Sequence, residues 1–205
     1  GLRAIIISNG GLVTEAHAAR LAPHRPHFVQ ITLNGPEAAL HEEHVGPGHF
    51  EPTLAGIRAL VKAGVRVSGC VVVTRKNAAK VGAILELFES LGVSQVALSR
   101  YSPAGYAAEQ VAELLPSRSE LLVALEAAEP FAKAGRASIQ VTMPVPPCVV
   151  DTSLFPSIRF SSCPIGTEAQ EFALGTDGKL RNCTLHTDVV AHTDQGERFD
   201  AAVTS

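Results

Sequence analysis

Four times before residue 140 an apolar, β-branched run breaks at a polar turn and gives way to a helical pattern, and this alternation restricts the chain to folds built from parallel βα units. The strand-like runs are residues 3–8, 28–33, 65–74 and 95–101. The helical patterns are 14–21, about 53–63, 81–91 and a longer one opening at Ser117. Leu54, Ile57, Leu60 and Val61 form one apolar stripe, and Val81, Ile84, Leu85, Phe88 and Leu91 form another. Gly64, Gly92 and Gly135 stand where a left-handed C-cap is wanted, and Ser117 with Glu120 makes a capping box.

Four consecutive units fit a doubly wound sheet or part of a barrel, and strand parity favours the barrel. In the second strand Gln30, Thr32 and Asn34 share one face, opposite Val29, Ile31 and Leu33. A polar face on an inner parallel strand has to meet water or a ligand, and the inside of a barrel provides that. After Ala137 the pattern becomes irregular, with a strand-like 139–145, the rigid Val145-Pro146-Pro147-Cys148, short extended pieces at 158–160 and 171–174, and a polar tail from Thr184 to Ser205. We therefore expect an α/β chain with part of a (β/α) TIM-like barrel over 1–137. A small, irregular, cysteine-containing extension is expected over 138–205.

Composition excludes several functions. With 17 Lys+Arg against 20 Asp+Glu, no basic field draws in a phosphate backbone, so nucleic acid is not an expected partner. No apolar run approaches the roughly 20 residues that span a bilayer, so no membrane role is expected. Four cysteines are too few for a disulfide scaffold, and a reducing cytoplasmic location follows. The chain opens on Gly1, enters a strand almost at once and carries no signal peptide, so it is expected to be an internal piece of a longer protein.

In a barrel of parallel strands the functional side chains gather at the strand C-termini. There the sequence places Ser8-Asn9-Gly10, Thr32-Leu33-Asn34-Gly35, Thr74-Arg75-Lys76-Asn77 and Arg100-Tyr101-Ser102-Pro103-Ala104-Gly105. Ser8-Asn9-Gly10 resembles the third-strand "TNG" turn of the radical S-adenosylmethionine (radical SAM) enzymes. Ile31 to Pro36, then His41, then Gly46-Pro47-Gly48-His49-Phe50, is similar to their fourth-strand "SLDG" segment and its trailing loop. The runs 56–65 and 71–77 match the following helix and strand, and Arg100 to Gly105 resembles the sixth-strand "R..P.G" turn.

That resemblance implies a [4Fe-4S] cluster that cleaves S-adenosyl-L-methionine to a 5'-deoxyadenosyl radical, which then abstracts hydrogen from substrate. It implies that Ser8, Asn9, Thr32 and Asn34 meet the methionyl and ribose groups, and that Arg75 pairs with the methionine carboxylate. Tyr101, Ser102 and Gly105 would lie near the adenine, and Asn77, in the strand turn beside Arg75, joins the candidate cofactor-binding set. The CxxxCxxC loop and the glycine-rich motif of the family fall before residue 1, so this piece alone is expected to be inactive. No general base is identified.

Cys163, fourteen residues, Gly178, four residues and Cys183 resemble the opening of a SPASM or twitch extension, which implies an auxiliary iron-sulfur cluster. Asp177-Gly178 supplies a hairpin turn between them, and Cys148 is a third candidate ligand. Cys70, between Gly69 and Val71, reads as a small core residue, and His41, His44 and His49 as part of a long solvated loop over 34–49. SPASM extensions favour a peptide or other bulky substrate, with a reductant such as flavodoxin or ferredoxin. Two rivals remain open: an aldolase- or isomerase-type barrel with incidental cysteines, and a zinc-binding module.

Overall fold

The computed structural model describes residues 3–168, 170–185 and 187–196, together with all side chains there except that of Tyr106. Six parallel strands form one sheet: β1 (Ile5–Ser8), β2 (Phe28–Thr32), β3 (Val67–Val73), β4 (Gln95–Arg100), β5 (Ser138–Val141) and β6 (Arg159–Phe160). Their spatial order is their chain order, and every neighbouring pair is parallel. A doubly wound sheet reverses direction at a switch point. This sheet never does, so it is the arc of a barrel, left open rather than closed.

The helices are α1 (Glu15–Leu21), α2 (Ala38–Val45), α3 (Phe50–Lys62), α4 (Val81–Ser90), α5 (Val111–Leu114) and α6 (Arg118–Lys133). Alternate strand residues turn toward this layer: Val29 and Ile31, Val67 and Val71, Val96 and Leu98, Ile139 and Val141 are all buried in one core. Gly69 faces the same way, because a side chain there would strike the Phe88 ring of α4 at 2.7 Å. Phe88, Ile84 and Leu85 are fully buried, as the stripe on α4 requires. The Ser117 hydroxyl accepts from Glu120 N at 3.3 Å, and the Glu120 carboxylate accepts from Ser117 N at 2.6 Å, completing the expected box.

The opposite face is lined mostly by small or polar side chains, Thr32, Ser68, Cys70, Ala97, Gln95 and Gln140, with Phe28 and Val72 among them. Bulky side chains usually fill a parallel barrel. Here a cavity of about 260 Å³ remains, lined by Gln30, Ser68, Gln95, Gln140 and Arg159 among others. Ile5 and Ile7 of β1 lie on this face and are exposed, since β1 has a neighbour on one side only.

One expectation is corrected by this architecture. The stretch 34–49 is not a loop, because α2 occupies Ala38–Val45. Past residue 137, β5 and β6 continue the parallel sheet to Phe160. Beyond it lies a second, antiparallel sheet of β7 (Ala173–Leu174), β8 (Lys179–Arg181) and β9 (Val189–His192). Gly178 turns the first hairpin with φ of +74°, which a side chain would resist. The part of the tail past residue 196 lies outside the described residues.

Candidate functional site

The strand ends of β1 to β4 build a continuous rim. At β1 the chain folds back on itself: Ser8 Oγ accepts from Gly10 N at 3.1 Å and Asn9 Oδ1 accepts from Gly11 N at 3.2 Å. Thr53 of α3 clamps this turn by donating its hydroxyl to Asn9 O at 2.9 Å. At β2 the side chain of Thr32 lies on the face opposite the helices, beside its register partner Cys70. Burial pushes the Cys70 thiol up to about 11, against the pull of a hydrogen bond from the Thr32 hydroxyl. Cys70 is therefore buried as expected, on the sheet face opposite the helix-facing core.

Asn34 and Asn77 stitch β2 to β3. Asn34 Oδ1 accepts from Val72 N at 3.0 Å. Asn77, fully buried, donates Nδ2 to Asn34 O at 3.0 Å and to Val72 O at 2.9 Å, and accepts from Thr74 N at 2.8 Å. With both amide hydrogens and its oxygen committed to backbone, Asn77 shapes the rim and has no donor left for a ligand.

Arg75 points elsewhere. It is exposed, donates Nη1 to Ala112 O at 3.1 Å and pairs loosely with Glu120 at 3.6 Å, away from the mouth of the arc. Lys76 beside it pairs with Glu43 at 2.8 Å and Glu113 at 3.7 Å. At β4 Tyr101 is buried and its hydroxyl donates to Ala107 O. Ser102 O accepts from Ala104 N at 2.9 Å, and Gly105 adopts φ of +57°. Thus Ser8, Asn9, Thr32, Asn34, Asn77, Tyr101, Ser102 and Gly105 gather along one edge of the sheet, and Arg75 leaves it.

Two residues that the sequence reading assigned to a solvated loop belong to the same rim. His41 on α2 is 2% exposed, and its Nδ1 accepts from Asn34 N at 3.1 Å. His44, one helical turn later, bonds Thr74 Oγ1 through Nε2 at 2.8 Å. Their i, i+3 spacing was the available signal, since it puts both on one helix face.

Cys163 and Cys183 line one pocket of about 280 Å³ with Thr142, Met143, Pro144, Ile165 and Phe172, just past the C-terminal end of β5. Cys183 Sγ accepts from Leu185 N at 3.4 Å. Cys148 is exposed and does not line this pocket. Among the described residues no third His, Cys, Asp or Glu joins the two sulfurs in a metal-sized cluster.

No protein-family model matches the chain. It is 34% identical over 116 residues to an AdoMet-dependent heme synthase of Oleidesulfovibrio alaskensis, covering 56% of this chain and 30% of that protein. It is 30% identical over 116 residues to the mycofactocin maturase MftC of Mycobacterium tuberculosis, covering 55% and 29%. Among solved structures it resembles native anSMEcpe with bound AdoMet and Cp18Cys peptide, with a TM-score of 0.69 at 18% identity over 94% of this chain and 55% of that one. Streptococcus suis SuiB bound to precursor peptide SuiA matches with a TM-score of 0.70 at 13% identity, covering 98% and 47%. The chain spans about 30% of the length of the curated relatives it matches.

Proposed function

Since the chain's relatives and structural neighbours are radical SAM enzymes, we propose that it is part of such an enzyme and contributes the S-adenosylmethionine-binding rim and the start of a cysteine-bearing extension. The observation that carries this reading is the row of polar turns at four successive parallel strand ends, in the family's order. When bound next to a [4Fe-4S] cluster, S-adenosylmethionine supplies a 5'-deoxyadenosyl radical. The protein's part is to hold that group still and dry.

In this reading the Ser8–Gly10 turn and the Thr32 hydroxyl face the methionyl and ribose groups, and the backbone from Tyr101 to Gly105 borders the adenine. Asn34 and Asn77 act one step back by fixing those turns. Arg75 meets a carboxylate only if it leaves Ala112 O and Glu120, both within reach of a rotamer change at an exposed side chain. Cys163 and Cys183 supply two of the thiolates that an auxiliary cluster needs. The described residues do not complete that set, so no chemical step is assigned to it.

The substrate we propose is a peptide, supported by neighbours crystallised with peptides and by the maturase relative. A second reading, a heme precursor, is favoured by the 34% identity to the heme synthase. Amide shifts on titration with S-adenosylmethionine test the rim. Movement confined to residues 8–10, 32–35 and 101–105 is expected, and movement elsewhere or none rejects the assignment. Iron with acid-labile sulfide after anaerobic reconstitution is expected at the cysteine pocket, whereas zinc alone supports the structural-module alternative.

A further inference from the structure

We propose that His41 is a positioning residue for the rim: its neutral imidazole holds the 32–35 turn in its binding shape, and protonating it lets that turn go. The argument begins with the Asn34 N–H. It is buried, its acceptor is His41 Nδ1 at 3.1 Å, and a ring nitrogen can accept only while it carries no proton. Imidazolium would set N–H against N–H. The buried donor would then lose its partner in a place water does not reach.

The turn and α2 cannot adjust separately. A side chain on Gly35 would sit 2.5 Å from His41 N and 2.8 Å from the Leu40 side chain, so the turn backbone rests directly on the helix. His41 is also wedged against the Phe50 ring, with centroids 5.7 Å apart. On the same face of α2, His44 ties Thr74 at the end of β3. Release at His41 leaves Asn34 held by Val72 N and Asn77 Nδ2, so the outcome is a displaced turn and not an unfolded one.

The surrounding charges are few. On α2 itself lie Glu42, whose carboxylate accepts from Phe50 N at 3.1 Å, His44, and Glu43, which pairs with Lys76 from the turn after β3. His49, the N-cap residue of α3, also acts on it, and the turn after β2 contributes the uncharged Asn34. Burial first, then His44 and His49, lower the His41 pKa below 6.5, and Glu42 opposes them. The hold is therefore complete above pH 6.5 and is lost as pH falls through the lower, folded-state value.

This proposal rests on the reading of the rim as a ligand site only for its functional consequence, and the experiment separates the two. The chain is titrated downward from about pH 7.5, through 6.5 and on for as long as circular dichroism shows it folded, while hydrogen exchange at the Asn34 amide and S-adenosylmethionine affinity are both followed. Wild type is expected to lose Asn34 protection and about tenfold in affinity, the size of one hydrogen bond. His41→Asn keeps an acceptor that does not titrate, so it should hold protection and affinity flat across the range. His41→Leu should lack protection at every pH. If Asn34 protection ignores pH in wild type, or His41→Asn titrates as wild type does, the proposal is overturned. If Asn34 titrates as expected but S-adenosylmethionine binds at no pH, His41 keeps its positioning role and the ligand assignment fails instead.

Discussion

Adding one methyl group at either of two glycines in helices should move stability in opposite directions. Gly56 lies in the middle of α3, where a Cβ would press into the Gly10 carbonyl oxygen well inside van der Waals contact, with Gly10 C and Val13 Cβ each at 3.2 Å. That carbonyl cannot swing aside, because it accepts from Val13 N at 3.0 Å and thereby closes the rim turn. Overpacking against fixed backbone costs about 1–3 kcal/mol, and a strained turn bond adds about 1 kcal/mol. The better helix propensity of alanine returns only about 1 kcal/mol. Gly56→Ala should thus lose about 2 kcal/mol, which at a urea slope of about 2 kcal/mol per molar lowers the midpoint by about 1 M. Gly82 on α4 provides the contrast, since its Cβ would meet only Ala127 Cβ at an ordinary 3.7 Å. Gly82→Ala should gain about 0.5–1 kcal/mol through the unfolded chain and raise the midpoint. Equilibrium urea unfolding followed by circular dichroism measures both. A Gly56→Ala midpoint at or above wild type, or two shifts of the same sign, refutes the claim that α3 touches the β1 turn without clearance.

Asn77→Ala should destabilise by about 3 kcal/mol, because three backbone groups, two of them in buried bonds, lose their partner at once; a thermal scan showing less than about 1 kcal/mol would contradict that network. Mass spectrometry after brief alkylation near pH 8 should find Cys148 and Cys163 labelled long before Cys70, whose thiol is buried and pushed up to about 11. Ser117→Ala should cost about 1 kcal/mol by opening the box at the start of α6, whereas Ser119→Ala, outside that box, should cost much less in the same unfolding assay.

The βα alternation, the helix stripes and the capping box were legible because period and punctuation are local properties, and the helix-facing core follows directly from them. The rim was legible as a row of turns. What could not be read was where side chains go once two strand ends meet: Asn77 turns inward to three backbone groups, and Arg75, its neighbour by two residues, turns outward to α5 and α6. The short helix α2 was missed because it has no apolar stripe, lies between Pro36 and Pro47, and buries a histidine where a hydrophobe would have signalled a helix. β6 was missed as a sheet member because two residues carry no period. Its place is fixed by pairing with β5, a tertiary fact.

The match between chain order and spatial order has mechanical meaning. Each stave of this arc leans only on the staves before and after it, so every long-range strand pairing closes a loop of one unit and none must wait for a distant part of the chain. Such a wall can be raised one stave at a time as the polypeptide emerges. Either flank can also accept another stave without disturbing the β3–β4 seam at its centre.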